Sequence, residues 1–228
     1  MTGRLRRLIL INIGLPNGST TKRISQIDPR GGAAVMGRNG VGKTTALRLI
    51  PLFYGLAPSG IVVRGDGQED LLRFVLPSAS SAIAFEYERD DGEDESLRLA
   101  VITRSVNGDA TDYRIFRCGF DAQIFVNEKT FRSKLESEDW ARTQGIDSTG
   151  RLDNIDYRRV ILRLPAETKE AQRIARLARD YSLARVPLPN LDRIVAAMTK
   201  ERASFADMQS VVVSIIQGDR RASRKVLR

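Results

Sequence analysis

The sequence predicts an α/β fold in which a strand–loop–helix unit is followed by an antiparallel β meander and a helical C-terminal region. Three observations predict it. Residues Gly37-Arg38-Asn39-Gly40-Val41-Gly42-Lys43-Thr44-Thr45 fit the pattern G-x-x-x-x-G-K-[ST]. Alternating apolar and polar runs recur between residues 82 and 126, broken by turn residues. Beyond residue 166 the apolar residues return at helical spacing.

The opening segment Leu8-Ile9-Leu10-Ile11-Asn12-Ile13 reads as a strand, and Pro16-Asn17-Gly18-Ser19-Thr20 as a turn. A second strand is expected from Arg23 to Ile27, with a break at Pro29-Arg30-Gly31-Gly32. Ala33-Ala34-Val35-Met36 is a short apolar run suited to a buried strand. After the glycine-rich loop, Ala46, Leu47, Leu49, Ile50, Phe53 and Tyr54 have helical spacing until Gly55 stops the helix. That context is what a phosphate-binding loop needs. Its glycines let the backbone close round a phosphate chain with N–H groups pointing inward, and the helix start adds partial positive charge. Arg38, Asn39, Gly40, Val41, Gly42, Lys43, Thr44 and Thr45 are therefore the candidate nucleotide-binding residues. Lys43 would meet the β- and γ-phosphates, and the Thr44 hydroxyl would hold Mg²⁺.

Downstream, Ala57-Pro58-Ser59-Gly60 and Gly65-Asp66-Gly67 are loop chemistry and flank Arg64. Ala82 to Glu88, Leu97 to Arg104 and Tyr113 to Arg117 read as three strands, and Ile124-Phe125-Val126 as a fourth. Asp90-Asp91-Gly92-Glu93-Asp94-Glu95 suits a solvated hairpin tip better than a metal site, because clustered like charges avoid burial. Asn107-Gly108 is a hairpin signal. A short helix is expected within Phe131 to Trp140, and Asp156 to Leu164 fits either strand or helix. Ile174, Leu177, Ala178 and Tyr181 mark a helix within Ala166 to Ala184. Leu191, Ile194, Val195 and Met198 mark another, capped by Asn190, and Phe205, Met208, Val212 and Ile215 a third. The expected division is a lobe at residues 1–127 and a helical subdomain at 128–228.

Composition narrows the chemistry. There is no histidine, which removes Ser-His-Asp catalysis, His-ligated zinc and a histidine base. Cys118 is the only cysteine, so it forms no internal disulfide or thiolate cluster and reads as a packed residue. The net charge of +9 suits a polyanionic partner. Arg4, Arg6 and Arg7 near one end, and Arg220, Arg221, Arg224, Lys225 and Arg228 at the other, fit either a DNA backbone or a solvated surface. No apolar run reaches bilayer length, and the opening apolar run is short for a signal peptide, so the cytosol is the expected compartment.

This order of parts resembles the N-terminal lobe of SMC-type ATPase heads: strand, turn, strand, phosphate loop, helix, arginine-bearing loop, antiparallel strands. The internal Gly40 and second hydroxyl Thr45 are features of the ABC and SMC branch. The phrases Leu47-Arg48-Leu49-Ile50-Pro51-Leu52-Phe53-Tyr54-Gly55 and Ser81-Ala82-Ile83-Ala84-Phe85-Glu86-Tyr87 look most like the SMC-like subunits of Wadjet plasmid-defence systems, relatives of the MukB and MksB condensins. The resemblance covers residues 5 to about 130. It implies ATP and Mg²⁺ as cofactors, with Thr45 on the α-phosphate and Arg64 reaching the nucleotide or DNA. It also implies a metal-binding glutamine after the strands. Ser214-Ile215-Ile216-Gln217-Gly218 resembles that loop, and Gln144-Gly145 does so less well, although the family loop normally follows a strand. The implied partners are a second head, kleisin and KITE-type subunits, DNA and, for Wadjet, a nuclease subunit.

The sequence has no LSGGQ-like signature, no apolar run ending in Asp-Glu, and no heptads of coiled-coil length. In SMC-type proteins these follow the coiled-coil arm, so the expectation is the front half of a head, weak in hydrolysis by itself. Alternatives are an ABC-transporter nucleotide-binding subunit, a non-hydrolysing DNA-binding module and a small P-loop kinase.

Overall fold

The computed structural model describes residues 3–14, 19–28, 43–58, 63–64, 68–69, 74–89, 97–105, 110–166, 170–191 and 194. Its centre is a five-stranded sheet of β1 (Arg4–Ile11), β2 (Ile24–Ile27), β5 (Ala82–Glu88), β6 (Leu97–Arg104) and β7 (Thr111–Phe116). The spatial order is β2-β1-β5-β6-β7, and every neighbouring pair is antiparallel. Two-residue strands form separate hairpins: β3 (Val63–Arg64) with β4 (Gln68–Glu69), and β8 (Val126–Asn127) with β9 (Thr130–Phe131). The helices are α1 (Lys43–Arg48), α2 (Ile50–Phe53), α3 (Lys134–Thr143), α4 (Asn154–Ile161) and α5 (Ala171–Tyr181).

Strand alternation sends successive side chains to opposite faces, and here both faces are buried. Leu8, Leu10, Ile83, Phe85, Tyr87, Ala100, Ile102, Tyr113 and Ile115 share one core with Leu49, Leu52 and Phe53, with Tyr157, Val160 and Ile161 of α4, and with Ile174, Leu177 and Tyr181 of α5. Ile9, Ile11, Ala82, Ala84, Leu99, Val101 and Phe116 form the other core with Ile124, Phe125 and Ala141 of α3. Each fully buried large apolar side chain contributes about 1.5–3 kcal/mol. Residue 127 is the last of β8, and the helices beyond it cover both faces of the same sheet.

Local chemistry explains several boundaries. The helix expected over Ala46 to Tyr54 is broken at Leu49. Pro51 has no N–H to donate, so the chain tightens into i→i+3 bonds: Leu49 N–H to the Ala46 carbonyl at 3.2 Å and Leu52 N–H to the Leu49 carbonyl at 3.0 Å. The strand expected at Ile124-Phe125-Val126 is corrected. Residues Ala122–Ile124 form a 3₁₀ turn because the Asp121 carboxylate accepts the Gln123 N–H at 2.8 Å. Only Val126–Asn127 is extended, and it pairs with β9 outside the main sheet. Ser133 and Glu136 form a capping box, which starts α3 at Lys134. Asp153 caps α4 by accepting the Asp156 N–H at 2.7 Å, which decides the Asp156 to Leu164 ambiguity for a helix. Ile194 N–H donates to the Asn190 carbonyl at 3.0 Å. The rest of that helix, the one expected at Phe205 to Ile215, the Asp90–Glu95 acidic turn, the Asn107-Gly108 turn and the basic C-terminal cluster lie outside the described residues.

The N-terminal arginines are matched by β5 carboxylates. Arg7 makes a two-pronged pair with Glu86, 2.7 Å for each bond, and Glu86 Oε1 also accepts the Phe120 N–H at 2.8 Å. Arg4 and Arg6 lie 2.9 and 3.6 Å from Glu88. Burial alone would push the Glu86 carboxyl up, but the Arg7 hydrogen bonds, the Phe120 N–H and the Arg7 and Arg6 charges together hold it below the usual range. Directly after β5, Arg89 donates to the Arg179, Asp180 and Ser182 carbonyls at 2.6, 2.8 and 2.9 Å. Arg98, 1% exposed, adds a bond to the Asp180 carbonyl at 3.1 Å. Two guanidiniums thus serve the orphan carbonyls and the negative end of α5. Tyr87 adds its hydroxyl to the Tyr181 carbonyl. Among the described residues no helix is long and apolar enough to cross a membrane.

Candidate nucleotide site

Lys43, Thr44 and Thr45 form the first turn of α1. Arg38, Asn39, Gly40, Val41 and Gly42, the strand expected at Ala33–Met36, and Gln217 lie outside the described residues. What the structure describes is the support behind the loop. Ala46, Leu49, Leu52 and Phe53 are buried against the sheet, and the Phe53 ring lies 5.5 Å from Phe85 and 5.3 Å from Tyr87. The α1–α2 unit therefore sits on a rigid apolar floor rather than on a loop.

The far end of α2 is held by α4. The Tyr157 hydroxyl donates to the Phe53 carbonyl at 2.8 Å, and Asn154 Nδ2 reaches the Gly55 carbonyl at 3.4 Å. Asn154 Nδ2 also donates to the Tyr113 hydroxyl at 3.1 Å, and the Tyr113 and Tyr157 rings stack at 4.7 Å. Burial pushes the Tyr157 phenol well above its ordinary range and also raises that of Tyr113, so both stay neutral and able to donate. Gly55 has φ +85°, and a Cβ there would lie 2.6 Å from Cβ of Arg158. Gly55→Ala combines left-handed strain with that collision. A loss of about 2 kcal/mol is expected, read as a lower urea midpoint with unchanged slope.

On the β1 side, Asn12 adopts φ +47° and is 6% exposed. Its carbonyl accepts the Ser81 hydroxyl at 2.7 Å, and its side chain donates to the Ser80 hydroxyl at 2.8 Å. This joins the end of β1 to the turn entering β5.

Arg64 lies on β3 rather than in a loop, with Arg64 opposite Gln68. Gln144 follows the last turn of α3, its N–H bonded to the Trp140 carbonyl at 3.0 Å. Because α3 packs on the other face of the sheet from α1, the structure does not bring Gln144 together with Lys43 and Thr44. Between α3 and that other face lies a cavity of 30 Å³ beside Asp112, Arg114, Lys134 and Glu138. It has roughly the room of two water molecules. Among the described residues no group of three or more His, Cys, Asp or Glu is placed to hold a metal.

Cys118 packs at the end of β7. Burial first, then the Asp121 charge, push its thiol up to about 11. At pH 8 almost no thiolate exists, so labelling of the folded protein by a disulfide reagent is expected to be at least about tenfold slower than after denaturation. Equal rates would show that the packing is not retained in solution.

Asn154 and Tyr157 were not legible as supports of the loop helix. Their sequence signal is only a cap, Asp153, followed by apolar residues at helical spacing. Which carbonyls they meet depends on contacts 99 and 104 residues apart.

Compared with known families, the chain matches the model described as protein of unknown function (DUF3584) over residues 9–226. No curated protein and no solved structure matches it.

Proposed function

The chain belongs to the DUF3584 family, an SMC/RecF-like domain family, and from that premise we propose that it is the loop-bearing N-terminal part of an SMC-like ATPase head. The single observation that carries this reading is the Gly37–Thr45 sequence. Its support is that Lys43-Thr44-Thr45 open a helix seated on a sheet, the half of the motif's context that follows the loop. In this reading the protein binds Mg-ATP through the backbone of Asn39 to Thr44, with Lys43 on the phosphates, Thr45 on the α-phosphate, Thr44 and Gln217 toward Mg²⁺, and Arg64 toward the nucleotide or DNA. Catalysis is positioning and charge neutralisation. The water-activating carboxylate and the signature motif come from the complementary half and from a second copy of the head. Closure and hydrolysis drive loop extrusion or translocation of DNA. Resemblance favours JetC of the Wadjet plasmid-defence system or an MksB-type condensin, with kleisin and KITE-type subunits, DNA and, for Wadjet, a nuclease subunit as partners in the bacterial nucleoid.

The test is calorimetric titration of Mg-ATP into the chain assembled with its complementary head segment. Saturable uptake is expected. A null titration with a folded assembly overturns the reading.

A further inference from the structure

We infer that α4 is a strut for the nucleotide site, with Tyr157 and Asn154 as positioning residues that hold the helix behind the phosphate loop from its far end. The inference rests on the nucleotide reading of Gly37–Thr45. Helix ends leave carbonyls without intrahelical partners, and a buried one needs a donor. At the end of α2 both donors come from α4: the Tyr157 hydroxyl to Phe53 and Asn154 Nδ2 to Gly55. A side chain at Gly55 would collide with Arg158, so the glycine lets the end of α2 lie this near α4, and the two hydrogen bonds oppose its retreat. Tyr113, stacked on Tyr157 and bonded to Asn154, fixes both side chains to the sheet.

The strut has a second end. Leu183 N–H donates to the Ile161 carbonyl, and Leu188 N–H to the Leu162 carbonyl, each at 2.9 Å. The segment after α5 is thus bonded to the last turn of α4, while the loop helix is bonded to its first turns. A shift of that segment reaches α1–α2 through one short, buried helix, and nucleotide at the loop reaches the segment by the same route. Coupling of this kind is reciprocal.

The experiment uses the full chain assembled with its complementary segment. Mg-ATP is titrated at a temperature where circular dichroism shows every variant folded. Tyr157→Phe keeps the ring stack and removes only the donor, and is expected to weaken Mg-ATP by about five- to tenfold. Lys134→Met removes a comparably shielded polar contact, the ion pair with Asp112 on the opposite face of the sheet, and is expected to leave affinity unchanged. In the wild type, Mg-ATP is expected to slow amide exchange over residues 154–161. Unchanged affinity in Tyr157→Phe, or equal weakening in Tyr157→Phe and Lys134→Met, overturns the strut and leaves the nucleotide reading standing. No binding by the wild type overturns both. If Tyr157→Phe does not fold, Asn154→Ala is held to the same criteria, together with the wild-type exchange measurement.

Discussion

Lys43→Ala is expected to lower Mg-ATP affinity of the assembled head by about two to three orders of magnitude, or ~3–4 kcal/mol. The reason is electrostatic. A triphosphate brings several negative charges into a loop whose other donors are neutral backbone N–H groups, and in the proposed site Lys43 supplies the compact positive charge that meets the β- and γ-phosphates. Truncation removes a charge-assisted bond and leaves phosphate oxygens desolvated without a partner. Lys43→Arg keeps the charge but not its shape, since a planar fork cannot replace a point charge in a tight backbone loop. It is expected to recover only part of the loss. Calorimetry at fixed Mg²⁺ and salt checks both variants, with urea midpoints to show that folding is intact. Wild-type affinity in Lys43→Ala would remove the phosphate loop from the mechanism. It would favour DNA binding independent of ATP, recognisable by a steep fall in affinity with salt.

Glu86→Ala is expected to cost about 3 kcal/mol of stability. The Glu86 side chain is 3% exposed, and its carboxylate holds Arg7 by two bonds as well as the Phe120 N–H. Removing it takes the carboxylate from the Arg7 guanidinium, which keeps its bond to Gln26 Oε1 at 3.0 Å, and leaves the Phe120 N–H without that acceptor at the edge of the second core. The Arg7 side chain keeps 33% exposure and can turn toward water, which places the loss at the lower end for broken buried pairs. The pH dependence has a definite sign. The folded carboxyl titrates below its unfolded value, so the unfolded chain binds the proton more readily and stability rises with pH. The contribution is fully present above the unfolded carboxylate pKa of about 4.3 and is lost as pH falls through the lower folded value. The difference in urea stability between wild type and Glu86→Gln is therefore expected to be constant from neutral pH to about pH 5 and to shrink below that. A difference that grows on acidification would refute the ion-pair account.

Much of the fold is written in short-range pattern. The strands at Ala82 to Glu88 and Leu97 to Arg104 were legible because alternation with β-branched and aromatic residues has few other uses. The four residues that spaced out the α5 stripe, Ile174, Leu177, Ala178 and Tyr181, are its four buried residues. Errors came where one local bond competes with pattern. Pro51 interrupted a stretch whose apolar spacing continued through it, and the Asp121 carboxylate turned a β-branched run into a 3₁₀ turn. The alternation of Ala82 to Glu88 places Ile83, Phe85 and Tyr87 on one face, and α3 with its neighbours buries the second, because Ile9, Ile11, Leu99, Val101 and Phe116 make that face apolar as well.

The sequence by itself determined the chemistry that is possible: a G-x-x-x-x-G-K-[ST] pattern with its lysine and threonines, no histidine, one cysteine that can form no internal disulfide, and strands and helices wherever the periodicity is uncontested. Composition and spacing act over a few residues, so a chain written in them carries that information locally. The tertiary structure alone decided the partners. It seated β1 between β2 and β5, matched Arg7 to Glu86, closed α5 with Arg89 and Arg98, and laid α4 against the end of the loop helix. Those choices depend on which distant surfaces exclude water together and which buried donors find acceptors, and both are properties of the assembled core rather than of any segment within it.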